Sequence, residues 1–131
     1  MPVRPMEFRY AVELDRGGTV SADGTSPLDL PDEWTPEHLV LAGLVRCTIE
    51  SLRFHAEREG IDFVASGSAS GLVTKREPND RYAFVEIDVE LEVRLEPQPA
   101  DRDGLFALAE RDCFVGASLT TKPRYRWRVS D

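Results

Sequence analysis

Pro36-Glu37-His38-Leu39-Val40-Leu41-Ala42-Gly43-Leu44-Val45-Arg46-Cys47 is the stretch on which the fold turns. Thr35, just before it, can cap free N–H groups, Pro36 suits the first helical position, and the Glu37 carboxylate suits the positive end of a helix. The pattern predicts a helix running to about Glu59, with Gly60 as its stop. Leu39 to Val45 is apolar around the whole circumference, whereas the second half carries Glu50, Arg53, Glu57 and Arg58 on one side. A helix that is apolar all round has to be covered all round. In a chain of 131 residues there is little interior for that, so either a sheet wraps the helix or a second copy of the chain covers its other face.

The flanking segments supply strands. Upstream, Phe8, Tyr10, Val12 and Leu14 alternate with charged residues as a half-buried strand does, and Gly17-Gly18 turns the chain into a short second strand at Thr19-Val20-Ser21. Asp23-Gly24 turns it again, and Ser26 to Trp34 reads as a connection holding one short edge strand. Downstream, Ile61 to Lys75 and Arg81 to Glu96 flank the turn-rich Glu77-Pro78-Asn79-Asp80 and are expected to pair as a hairpin. Val85, Ile87, Val89, Leu91, Val93 and Leu95 form the core face of its second strand, while Gly67, Ala69 and Gly71 in the first leave room for something bulky to press on the sheet. Ala100 to Asp112 follows as an amphipathic helix, Phe114 to Leu119 as a further helical turn, and Tyr125, Trp127 and Val129 as a closing strand. The order is that of one α+β domain over residues 1–131, without the βαβ alternation of a doubly wound sheet.

Composition narrows the function. Sixteen Lys and Arg against 24 Asp and Glu give a net charge of −8, and no basic run longer than a pair gathers the positive charge, so nucleic acid is a poor partner. The start, Met1-Pro2-Val3-Arg4-Pro5-Met6, lacks the apolar stretch of a secretory signal, and the longest apolar run falls far short of the roughly 20 residues that cross a bilayer. A cytoplasmic protein with no membrane contact is expected. Two cysteines in a reducing compartment are free thiols, metal ligands or a redox pair rather than a structural disulfide.

Cys47 falls in the middle of the long helix and Cys113 where the second helix ends. Either one alone is most simply a small buried apolar residue, and a thiol becomes a catalyst only when something stabilises its thiolate. Arg16 at the hairpin turn and Arg46 beside Cys47 are candidates for that task. His38 and His55, nine residues before and eight after Cys47, match no zinc spacing, so no metal is expected. Eight helical residues rise about 12 Å, which keeps His55 from serving Cys47 as a base without a partner helix. Phosphate-cradling glycine motifs and a Gly-x-Ser-x-Gly elbow are both missing.

The Pro36 to Cys47 stretch resembles the motif of the OsmC/Ohr family of thiol peroxidases, Pro-Glu-x-Leu-x-x-Ala-Gly-x-x-x-Cys, in which the last residue is the peroxidatic cysteine of a central helix. Cys113 is similar in place to the family's resolving cysteine, and Arg16, ahead of Gly17-Gly18 and Asp23-Gly24, resembles its activating arginine. The resemblance covers nearly the whole chain and implies an OsmC-like antiparallel sheet wrapped around a long central helix in an intertwined homodimer. Two positions depart from the pattern. The usual Cys-Pro-x-Ser is here Cys113-Phe114-Val115-Gly116, with Ser118 nearby, and Arg46 stands where a small residue is usual.

What the resemblance implies is a cofactor-free peroxidase. Cys47 attacks an organic hydroperoxide and becomes a sulfenic acid, Cys113 closes a disulfide on it, and a dithiol such as dihydrolipoamide on a carrier protein reduces the pair. Arg16, held by Glu37, would lower the thiol pKa and stabilise the departing alkoxide. Ten helical residues separate Glu37 from Cys47 by about 15 Å, and two helices packed antiparallel about a two-fold axis would remove that gap. Phe114 and Trp34 are candidates for apolar substrate contacts. The alternative is a non-catalytic dimer of the same fold that senses oxidants or binds a small apolar ligand, and a third reading is a structural subunit with inert thiols.

Overall fold

Helix α1 spans Pro36–Arg58 and ends on the glycine that the sequence marks as its stop. Gly60 has φ +71°, a conformation open to glycine at little cost, and the turn it makes lets the Ile61 N–H reach the Ala56 carbonyl at 2.9 Å and the Gly60 N–H reach that of Glu57 at 3.1 Å. Those two bonds satisfy carbonyls the helix itself leaves open. The buried side of α1 is Leu44, Thr48, Ser51, Leu52, His55 and Ala56, spaced by three and four as one helical face. Leu39 and Val40, on the segment that is apolar all round, remain 40% and 37% exposed in the single chain.

The computed structural model describes residues 4–77 and 79–130; Met1 to Val3, Asp131 and the proline of the Glu77 to Asp80 turn lie outside the described residues. The chain divides into two compact units, one ending at Pro36 and the other starting at Glu37, each with its own sheet. In the first, β1 (Val12–Leu14), β2 (Thr19–Ala22) and β3 (Thr25–Asp29) make an antiparallel sheet in sequence order. The first strand is shorter than its alternation suggests, because β2 turns away at Asp23-Gly24, where both residues have positive φ. Asp23 then takes the place of a strand: its N–H bonds the Ala11 carbonyl at 2.8 Å and its carboxylate accepts from the Ala11 N–H at 2.9 Å. Nor is this strand half-buried. Val12 and Leu14 are 72% and 71% exposed, and this three-stranded sheet has no helix within its own unit to cover a face. The edge strand expected near Pro27 is β3, and proline is tolerated there because an edge strand needs fewer N–H donors.

In the second unit β4 (Asp62–Arg76) and β5 (Arg81–Glu96) form the expected antiparallel hairpin. Then come α2 (Arg102–Arg111), α3 (Phe114–Ser118) and β6 (Arg124–Ser130). Strand β6 joins β5 in parallel, because the chain returns across the sheet through two helices instead of a tight turn. Arg124 and Arg126 on its outer face pair with Asp88 and Glu90 of β5 at 2.8 and 3.3 Å. On its inner face Trp127 stacks on Phe106 of α2, with ring centroids 4.2 Å apart. Ile87, Val89, Leu91, Val93 and Leu95 are buried, as their alternation requires. A bulge between Leu72 and Val73 shifts the register one step earlier, so Phe84, not Val85, packs against the core.

The small residues of β4 have the use expected of them. A Cβ on Gly67 would stand 2.9 Å from the Glu90 carbonyl oxygen and 3.2 Å from Val45 of α1, so this glycine lets the helix sit down on the sheet. A Cβ on Gly71 would meet the Phe84 ring at 2.6 Å. Among the described residues, no helix is long and apolar enough to cross a membrane.

Candidate active site

Cys113 is the extended residue between α2 and α3, and its side chain caps α3. Its sulfur accepts from the Gly116 N–H at 3.4 Å, while the Cys47 sulfur, arriving from α1, accepts from the Val115 N–H at 3.5 Å. Two successive amides of one short helix thus hold two sulfurs that lie 66 positions apart in the sequence (113 − 47). Both cysteines are free; Cys113 is fully buried and Cys47 partly so. The sheet side of α1 makes this meeting possible. Cys47 lies beside the buried face, and Thr48, the next residue, lies on it.

Burial pushes the Cys47 thiol above the ordinary cysteine range. The Val115 N–H opposes that, the neighbouring Cys113 raises it further, and the Phe114 N–H lowers it. Around Cys113 stand two hydroxyls. Thr48 Oγ1 donates to the Leu44 carbonyl at 2.9 Å and lies 3.7 Å from the Cys113 sulfur. The Tyr125 phenol is pushed up to about 12, chiefly by burial and next by the charge of Cys113, with Thr48 opposing the rise.

Of the residues that the sequence nominates, the structure brings Cys47 and Cys113 together. Glu37 is exposed in the first turn of α1, with ten residues, about 15 Å of helical rise, between it and Cys47. Arg46 is exposed on the same helix. Arg16 belongs to the amino-terminal unit, on a turn closed by Asp15, whose carboxylate accepts from the N–H groups of Gly17 and Thr19, each at 2.9 Å. Phe114, the first residue of α3, and Trp34 are both exposed. Ser118 donates to the Phe114 carbonyl at 2.8 Å. Thr48 and Tyr125 escape sequence reasoning. Thr48 follows a cysteine on a buried helix face, which is a signal of a kind, but Tyr125 reads only as one more apolar position of a closing strand.

His55, whose spacing from Cys47 suits neither a zinc site nor a base for that thiol, has another use. Its Nε2 lies 2.7 Å from a carboxylate oxygen of Asp112, the residue before Cys113, which also accepts from Arg111 at 2.9 and 3.0 Å. Arg111 holds the Asp112 carboxyl below the usual range, partial burial opposes this, and His55 adds to the lowering. A carboxyl lowered on folding contributes stability above its unfolded pKa, about 3.9, and that contribution is lost as pH falls through the folded value. Asp112→Asn is therefore expected to lower the urea midpoint at pH near neutrality, with the gap to wild type closing below about pH 4. A gap that persists undiminished in acid would show that charge is not what Asp112 supplies. Among the described residues, no group of three His, Cys, Asp or Glu side chains is placed to hold a metal ion.

Known proteins share this architecture. The chain is similar in structure to an OsmC-like protein of unknown function from Vibrio cholerae, with a TM-score of 0.74 and 15% identity over 94% of this chain and 99% of that one. An organic hydroperoxide resistance protein OsmC from Legionella pneumophila gives 0.62 and 19% identity over 97% and 100%. The organic hydroperoxide resistance protein OhrB of Bacillus subtilis gives 0.56 and 18% over 93% and 96%. At these identities the likeness shows the fold. No curated protein matches the chain significantly in sequence. The family model for OsmC-like proteins matches residues 23–128, which takes in the Pro36 to Cys47 stretch, both cysteines, every element from β3 to α3 and most of β6. The chain belongs to the OsmC-like protein family.

Proposed function

We propose that the protein is a cysteine-based peroxidase that reduces organic hydroperoxides to alcohols at the expense of a dithiol. The observation that carries this reading is the meeting of the Cys47 and Cys113 sulfurs on adjacent amides of α3. The organic hydroperoxide resistance proteins of Legionella and Bacillus, which share the fold, support the substrate class. The Cys47 thiolate attacks one peroxide oxygen, the O–O bond breaks, and the alkoxide leaves as alcohol after taking a proton. Cys113 then closes a disulfide on the sulfenic acid with release of water, and the dithiol returns both thiols.

Cys47 needs help to ionise, because burial pushes its pKa up. Arg16 is the proposed source of that help and Glu37 the carboxylate that holds the guanidinium, as the family resemblance implies. The proposed assembly is a homodimer in which two copies of α1 lie antiparallel, which would carry a Glu37 toward a Cys47 and cover Leu39 and Val40. The family match crosses the boundary between the two units, in support of reading residues 1–131 as one functional domain. Phe114 and Trp34 are the proposed apolar contacts of the organic group, and two unbridged cysteines suit a cytoplasmic setting.

The test is loss of tert-butyl or cumene hydroperoxide with dihydrolipoamide as reductant. Many turnovers per chain, together with a dimer in sedimentation at micromolar concentration, are expected. The altered Cys113-Phe114-Val115-Gly116 segment favours a second reading, an oxidant sensor on the same fold. That reading predicts a single stoichiometric loss of two hydrogens per chain and no turnover.

A further inference from the structure

Thr48 follows Cys47 in sequence but sits about 100° further round the helix, which turns it into the core beside Cys113. Its hydroxyl has two places to give its proton, the Leu44 carbonyl at 2.9 Å and the Cys113 sulfur at 3.7 Å. With one proton and two lone pairs it favours one of them at a time and keeps the capacity to accept. A second hydroxyl reaches the same spot from β6. A Cβ on Gly116 would stand 3.0 Å from the Tyr125 oxygen and 3.5 Å from the Cys113 sulfur, so the phenol and the thiol share the space that residue 116 leaves empty. Thr48 is fully buried, and its partners here are protein groups, not bulk solvent.

We propose that Thr48 and Tyr125 form a hydroxyl relay that holds the Cys113 sulfur as a thiolate while the disulfide closes. The inference rests on the thiol chemistry proposed above. While Cys113 is protonated, Thr48 gives its proton to the Leu44 carbonyl. Once Cys113 loses its proton, the Thr48 hydroxyl turns to the sulfur, and the Tyr125 phenol donates to the Thr48 oxygen. The Gly116 N–H donates to the sulfur in both states. A phenol pushed up to about 12 keeps its proton at neutral pH, so Tyr125 has a proton to donate to the Thr48 oxygen. In the closing step the Cys113 thiolate forms the S–S bond to Cys47 and the S–O bond of the sulfenic acid breaks. Hydroxide leaves with that electron pair and takes up the proton Cys113 gave away, so that one water departs. Thr48 touches the reacting sulfur, whereas Tyr125 acts through Thr48 and is a positioning residue. The titratable groups facing this place are Cys47 from α1 and Tyr125 from β6, with Glu110 of α2 acting on the phenol.

The relay is tested without peroxide by loading Cys47 with Ellman's reagent. Attack of the Cys113 thiolate on the mixed disulfide then releases a coloured aryl thiolate and closes the same bond. In Tyr125→Phe and Thr48→Val this second release is expected to slow about tenfold at neutral pH, its pH profile moving up by about one unit. Thr48→Ser restores it, and the first release, which reports on Cys47, is unchanged in Tyr125→Phe. A second release with the wild-type rate and pH profile in Tyr125→Phe overturns the relay, as does a wild type that never gives a second release. The same variants are also oxidised with tert-butyl hydroperoxide, where slowed closure lets the sulfenic acid accumulate. Should hydroperoxide leave Cys47 untouched while aryl thiolate release slows as expected, the relay stands and the peroxidase reading falls.

Discussion

Cys47→Ser is expected to consume no hydroperoxide beyond the uncatalysed background, a loss of about a thousandfold or more, because the serine hydroxyl is a far weaker nucleophile than a thiolate and cannot take up the peroxide oxygen reversibly. Its partner, Cys113→Ser, separates the two halves of the cycle. There Cys47 still attacks, but nothing closes on the sulfenic acid, so intact mass shows one added oxygen and then further oxidation as peroxide is kept in excess. A dithiol reductant rescues some turnover by attacking the sulfenic acid directly, at a rate set by access to the partly buried Cys47. Cys113→Ser that turns over at the wild-type rate would remove Cys113 from the cycle. Cys47→Ser that retains activity would remove the peroxidase altogether, since no other thiol besides Cys113 exists in the chain.

Leu44→Ala is expected to cost about 2–5 kcal/mol of folding stability, a large share of the roughly 5–15 kcal/mol typical of a domain. Leu44 is fully buried on α1, and its Cδ1 lies 3.6 Å from the Cβ position of Gly116, so the cavity opens directly beneath the helix that holds both sulfurs. Urea unfolding followed by far-UV circular dichroism measures the cost. A loss under 1 kcal/mol would mean that α1 and α3 are not packed as described. Leu39→Ala is the informative comparison, because Leu39 is exposed in the single chain. Its effect is small if the chain works alone, within about 0.5 kcal/mol. If the proposed dimer buries it, the effect is larger and shrinks with dilution as both proteins come apart.

Much of the architecture was legible from local chemistry. Helix α1 begins at the proline that marks it and stops just before Gly60, and β5 follows its alternation from Glu86 to Glu96. Gly67 and Gly71 announced close approach, and both are tightly approached, one by Glu90 and Val45, the other by Phe84. The alternation of Phe8 to Leu14 misled for a physical reason. Period two reports which residues share a face, but it does not say whether another layer comes to cover that face. The bulge before Val73 was hidden for a similar reason, since an extra residue leaves the composition of a strand unchanged while it moves Phe84 to the core side.

The site divides in the same way. Cys47 and Cys113 are the only thiols, so composition and the motif around Cys47 were enough to nominate both. The sequence by itself determined the long helix, the hairpin, the family pattern and the pair of sulfurs, because caps, turns and periodicity act between near neighbours. Only the tertiary structure decided that adjacent amides of α3 hold both sulfurs, that His55 bonds Asp112, and that hydroxyls from α1 and β6 converge on Cys113. Those meetings depend on the return of the chain through α2 and α3 into a parallel β6, a path that juxtaposes residues 48, 113 and 125 through shared burial, which no spacing along the chain records.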